Sequence, residues 1–246
     1  MRQGLPTKEP ATFMNVSTPE QWHEGPGMVQ DLRDLLWSHR DPGRATEMQA
    51  YLKGQFPFFG IPTTARRSLL RTFLHGREGI PSGPRLREVA HLLWQEPERE
   101  LHYCALELLE RRLKDLGPED YPFLESLVTS QSWWDTVDVL APKLMGGVLA
   151  RNPEQLPAKV AEWLSSDHLW LQRTALLCQL KWKDRTDLPC LTLAIEHTRR
   201  SPEFFLRKAI GWALREYAKT DPDWVRNHVA HTELSSLSRR EALKHL

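Results

Sequence analysis

WLQRTALLCQLKWK, residues 170–183, lies over FLRKAIGWALREY, residues 205–217, at an offset of 34. Arg173 then meets Arg207, Ala175 meets Ala209, Leu176 meets Ile210, Leu180 meets Leu214 and Lys181 meets Arg215. Two earlier segments join the register through a small residue: Ala105, Ala141, Ala175 and Ala209 follow one another at intervals of 36, 34 and 34. A small side chain at fixed phase lets neighbouring helices approach closely. A period near 35 carried by helices alone points to stacked helix pairs, an all-α solenoid of HEAT or TPR type whose inner face forms a groove. The TPR pattern itself is absent.

Outward from the repeat, helical spacing persists. Leu101, Ala105, Leu108, Leu109 and Leu113 form one apolar stripe, and Leu86, Val89, Ala90 and Leu93 another. Alternating runs of β-branched and aromatic residues are scarce. Gly83-Pro84, Gly117-Pro118, Asn152-Pro153, Ser201-Pro202 and Asp221-Pro222 fall between stripes, where proline suits the first turn of a helix. In QFPFFGIPTTARR, residues 55–67, Gly60 is expected to end a helix and Pro62 to let the next begin. Phe56, Phe58 and Phe59 read as core there, and Arg66 and Arg67 receive no role.

The chain has 246 residues, 40 % hydrophobic and 26 % charged, a globular rather than disordered balance. Residues 1–25 read as a mobile N-terminal tail and residues 26–246 as one repeat domain. No apolar run reaches the length of a membrane span, and the first residues lack the apolar core of a signal peptide, so the expected location is the cytoplasm. Cys104, Cys178 and Cys190 form no CxxC pair and read as buried free thiols. The ten histidines show no metal-binding spacing, so no metal and no cofactor is expected. Net charge is +1, yet residues 173–246 hold 14 Lys and Arg against 9 Asp and Glu. That asymmetry fits a face that meets phosphates, and it also fits ordinary solvated helix faces.

Within SQSWWDTVDVLAP, residues 130–142, two tryptophans adjoin two aspartates. Ser132 and Asp135 have the spacing of a capping box, which accounts for Asp135. Asp138 lies beyond the cap and shares a helix face with Trp134 at i and i+4, while Trp133 points about 100° away and packs inward. A ring face beside a carboxylate attracts positive charge. The plainer reading pairs Asp138 with an arginine and packs Trp134 on a neighbouring helix; spacing alone leaves both open. In a solenoid, Trp134, Arg173 and Trp212 stand together across three consecutive repeats.

SWWDTVD at 132–138, LQRTALL-QLK at 171–181, FF-RKAIGWALREYAKT-P at 204–222 and YLKGQFPFFGIPTTARR at 51–67 resemble the AlkD-type DNA alkylation repair glycosylases, in order, from about residue 28 to about residue 230. The resemblance implies HEAT-like antiparallel helix pairs with a concave basic groove for duplex DNA. It implies hydrolysis of the N-glycosidic bond of N3- or N7-alkylated purines by a monofunctional enzyme that leaves an abasic site. Carried over by motif, Trp134, Asp138 and Trp212 become catalytic, and Arg173, Lys181, Tyr51, Arg207 and Arg215 contact DNA. Arg173 would hold a phosphate through a bidentate contact. Lys181 reads as a phosphate contact rather than a Schiff-base nucleophile. Duplex DNA with alkylated purines is the expected partner, and the protein is expected to be a monomer.

Two other readings use the same fold: a relative that recognises damaged or branched DNA without cleaving it, and a scaffold that binds proteins. A DNA groove is separated from a protein groove by its steep salt dependence.

Overall fold

A computed structural model describes residues 25–77 and 79–246. The expected tail lies, but for Gly25, outside the described residues. All regular structure among the described residues is helical: α1 (Gly25–Ser38), α2 (Pro42–Tyr51), α3 (Thr63–His75), α4 (Gly83–Gln95), α5 (Arg99–Arg111), α6 (Tyr121–Thr129), α7 (Trp134–Val139), a π-helix (Leu140–Met145), α8 (Gly146–Leu149), α9 (Leu156–Ser165), α10 (Leu169–Leu177), α11 (Leu188–Thr198), α12 (Phe204–Tyr217), α13 (Pro222–His231) and α14 (Ser236–Ala242), with short 3-10 turns between some of them. No described helix is long and apolar enough to cross a membrane.

The helices stack as an α-solenoid of pairs. In one row α3, α5, α7, α10, α12 and α14 each pack on the next, and α1, α4, α6, α9, α11 and α13 pair with members of that row or with the π-helix that continues α7. The stripes read from sequence make the seams. Leu86, Val89, Ala90 and Leu93 of α4 face Leu101, Ala105, Leu108 and Leu109 of α5, all fully buried, whereas Leu113 falls beyond the end of α5 and is half-buried. Ala105, Ala141, Ala175 and Ala209 are all buried where the stacked helices meet. Buried tryptophans tie successive repeats: the indole N–H of Trp94 donates to the Ser130 carbonyl, that of Trp163 to Glu125 and that of Trp182 to the Gly146 carbonyl, at separations of 36, 38 and 36 residues. Each such bond lets a large apolar ring enter the core without leaving its N–H unpaired. Cys104, Cys178 and Cys190 are buried free thiols.

The proline signals hold with one shift. Pro84 and Pro222 sit in the first turns of α4 and α13, and Asp221 caps α13 by accepting from the Trp224 amide at 2.9 Å. Pro118 and Pro153 open 3-10 turns that lead into α6 and α9, while Pro202 precedes α12. Pro142 has a larger consequence. It has no N–H to give the Asp138 carbonyl one turn back, and its ring crowds that carbonyl. The chain widens there into the π-helix, directly after the helix that carries Trp134 and Asp138.

Gly60 does not end a helix. It lies in the segment between α2 and α3 at φ +89°, and a Cβ on it would stand 2.1 Å from the Asp41 carbonyl oxygen. This close turn gathers the amides of Phe59, Gly60 and Ile61 on the buried carboxylate of Glu100 at 3.0, 2.9 and 3.0 Å. Burial pushes the Glu100 carboxyl up, and the three amides pull it back. Phe56 and Phe59 are core as expected, while Phe58 is half-buried and lines a cleft. Glu100→Gln sets an NH2 group against one of these amides. It is expected to cost about 1–3 kcal/mol of unfolding free energy, read from urea melts.

Candidate active site

Trp134, Asp135 and Asp138 sit on α7, a helix of six residues, with Ser132 and Trp133 just before it. So short a helix is marginal alone, and its N-cap, Trp133, supplies no side-chain hydrogen bond. The expected capping box does not form. Ser132 Oγ donates backward to the Val128 carbonyl at 2.6 Å, and Asp135 turns sideways to α5. Its carboxylate accepts a bidentate pair of bonds from Arg99 at 2.9 and 2.8 Å and a third from the Tyr103 hydroxyl at 2.6 Å. A fully buried guanidinium requires a close carboxylate, and that demand outweighs the local cap.

Asp138, one turn on, faces the opposite neighbour. Arg173 of α10 grips it in the same bidentate manner, Nε to Oδ1 at 2.8 Å and Nη2 to Oδ2 at 2.9 Å, and gives its remaining nitrogen to the Phe205 carbonyl. The plainer sequence reading is therefore present, and its arginine is Arg173. All three nitrogens of Arg173, the expected phosphate fork, have protein acceptors here, and the side chain is 5 % exposed. The carboxylate is the more open partner, at 19 %. Burial pushes the Asp138 carboxyl above its usual range, Arg173 pulls it down, and Asp135 adds a smaller upward push.

Trp134, Asp138 and Arg173 line a cleft of about 290 Å³ together with Phe204, Phe205, Lys208, Trp212 and Arg215 of α12. Four aromatic side chains thus surround one carboxylate. Trp133 turns inward as expected, its ring 5.8 Å from Trp170 and 5.2 Å from Phe205. Trp134 also borders a second cleft of about 860 Å³, lined mainly by α2, α3 and α5. There Tyr51, 69 % exposed, meets the Trp134 ring edge-on with centroids 5.6 Å apart.

The family model for DNA alkylation repair enzymes matches residues 32–246. This chain belongs to that family. A solved structure of a predicted DNA alkylation repair enzyme from Enterococcus faecalis is 35 % identical, with a TM-score of 0.78 over 84 % of this chain and 96 % of that one. A Streptococcus mutans protein of known structure shares the fold at 20 % identity and a TM-score of 0.58, over 89 % of this chain and 99 % of that one. No match was found among curated proteins.

In this DNA alkylation repair family member the other expected DNA contacts divide. Arg215 lines the small cleft and pairs with Glu241 of α14 at 2.7 Å. Arg207 is not brought there; it folds back on the Ser201 carbonyl at 2.9 Å. Lys181 is exposed in the turn that follows α10, 3.5 Å from Glu216. Arg66 is buried against Glu107, and Arg67 remains exposed. Sequence reading missed Lys208 and Phe204. Both were visible as residues 204, 208 and 212, an i, i+4, i+8 face that Trp212 already marked. Lys208 meets Glu241 at 3.0 Å, so two cations share one carboxylate at the cleft edge, and they hold that carboxyl below its usual range.

Proposed function

We propose that this family member is a monofunctional DNA glycosylase, hydrolysing the N-glycosidic bond of N3- and N7-alkylated purines in duplex DNA and leaving an abasic site. One observation carries the reading: a mostly buried carboxylate with an open edge on the cleft, Asp138, held in fixed orientation by a buried arginine and flanked there by Trp134 and Trp212.

The chemistry suits such a site. Alkylation at N3 or N7 leaves the purine cationic, so the base departs as a neutral molecule when it takes the electron pair of the bond to C1′. No general acid is needed. Positive charge then develops on the deoxyribose, and a preoriented negative group next to it lowers the barrier. Asp138 supplies that group and positions the water that adds to C1′, and the proton this water loses passes by way of the carboxylate to solvent. The indole faces of Trp134 and Trp212 stabilise the same cation through their quadrupoles. Arg173 acts by holding Asp138, so that the carboxylate does not reorganise during the reaction. Lys208 and Arg215, at the cleft edge, are placed to receive backbone phosphates in competition with Glu241.

The test is release of free base from methylated duplex DNA. Wild-type protein is expected to liberate methylpurine and leave alkali-labile sites. With protein below saturation, the rate should fall steeply as salt rises, because phosphate contacts release counterions. Tight, salt-dependent duplex binding without base release would replace this proposal with recognition of damaged DNA. Binding that ignores salt would remove DNA from the groove.

A further inference from the structure

Trp134, with Tyr51 edge-on against it, forms a wall of the larger cleft and lines the smaller one as well, yet neither residue sits on an element that fixes itself. Trp134 opens an uncapped helix of six residues. Tyr51 ends α2 and is followed by eleven residues outside any helix, Leu52 to Pro62. Both segments converge on one side chain. Arg99, at the start of α5, is 0 % exposed. Its guanidinium grips Asp135, the neighbour of Trp134, and adds bonds to Thr136 Oγ1 at 2.9 Å and the Gln131 carbonyl at 2.7 Å. Its other face lies over the Phe56 ring, 3.7 Å from the centroid, in the segment that follows Tyr51. Tyr103, one turn along α5, completes the set by donating to Asp135.

We propose that Arg99 and Tyr103 are positioning residues for the Tyr51–Trp134 wall: Arg99 fixes the first turn of α7 through Asp135 and the segment after Tyr51 through Phe56, and Tyr103 locks the Asp135 carboxylate in place. Arg173 anchors α7 from the other side through Asp138, so the helix is held between arginines of the two repeats that flank its own, at separations of 36 and 35 residues. This arrangement sets the direction of the Trp134 ring before any ligand enters. The Asp135 carboxylate, already accepting from three donors, is structural and is not a second catalytic carboxylate. The inference rests on the glycosylase reading only for its catalytic consequence.

Tyr103→Phe tests it, because it removes one hydroxyl and leaves the buried ion pair intact. Protein labelled with 5-fluorotryptophan reports the ring directly, the Trp134 signal being assigned by its loss in Trp134→Phe. Without DNA, Tyr103→Phe is expected to shift or broaden the Trp134 fluorine signal while the Trp94 and Trp163 signals stay in place. Single-turnover base release is expected to fall roughly tenfold at unchanged duplex affinity, the effect of a displaced group rather than a lost contact. Arg99→Lys, which keeps the charge but not the fork, is expected to move the same signal further if it folds. An unmoved Trp134 signal in Tyr103→Phe overturns the proposal whatever the rate does. A moved signal with a wild-type rate overturns its catalytic part. If wild-type protein releases no base, the glycosylase reading fails separately, and the fluorine signal still decides whether Arg99 and Tyr103 set the wall.

Discussion

Asp138→Asn is expected to bind methylated duplex DNA as the wild type does and to lose about 10²–10³-fold of its base-release rate. The substitution keeps shape and one acceptor oxygen, so the cleft and the Arg173 fork persist in part, but the charge aimed at the developing sugar cation is gone. Because Arg173 keeps its own charge with one acceptor fewer, the variant is less stable, and rates should be compared well below its melting midpoint. The pH profile supplies a second readout. The active form requires ionised Asp138, and burial raises that carboxyl above its usual range. The wild-type rate should therefore fall with acid at a higher pH than an ordinary aspartate, near 3.9, would dictate. Asp138→Asn should lack that limb. Wild-type excision by the variant would remove Asp138 from the chemistry.

Arg173→Ala is expected to be the most destabilising of these changes, by about 3–5 kcal/mol, because it strands a carboxylate in a buried setting. The Phe205 carbonyl loses its partner as well. Excision should fall with it, since Asp138 is then free to turn or to take up a proton. Stability and chemistry are separated by replacing both partners. Asp138→Leu with Arg173→Met exchanges the ion pair for apolar groups of similar volume, which is often neutral for stability. Urea melts are expected to show most of the stability restored, with base release still absent. If Arg173→Ala melts like the wild type, Arg173 is not the structural clamp described above. If the double substitution excises normally, the carboxylate has no part in the reaction.

The helical repeat was legible because it depends on local chemistry repeated along the chain. The apolar stripes of α4 and α5, the small residues at 105, 141, 175 and 209 and the prolines at helix starts each carry their meaning within a turn or two. The co-location of Trp134, Asp138 and Trp212 was legible for the same reason, since equivalent helices of a repeat fall in register. Lys208 could have been found by extending the Trp212 face back one turn. The fates of Ser132, Asp135 and Gly60 could not. Asp135 has the spacing of a cap, but the decisive partner is Arg99, 36 residues away, whose burial creates a demand no local rule contains. Gly60 has the look of a helix end, but its backbone is shaped by close contact with Asp41 and by the Glu100 carboxylate.

By itself, then, the sequence determined an all-helical solenoid, its register and the small set of aromatic and acidic residues that share one face. Only the tertiary structure decided how those residues are held. It placed Arg173 on Asp138 instead of on an open surface, turned Asp135 from a cap into an anchor and divided the basic residues between cleft edge and exterior. The physical reason is one of range: helix periodicity is set by neighbours three and four residues apart, whereas the partner of a buried charge is whichever opposite group packing brings within hydrogen-bonding distance.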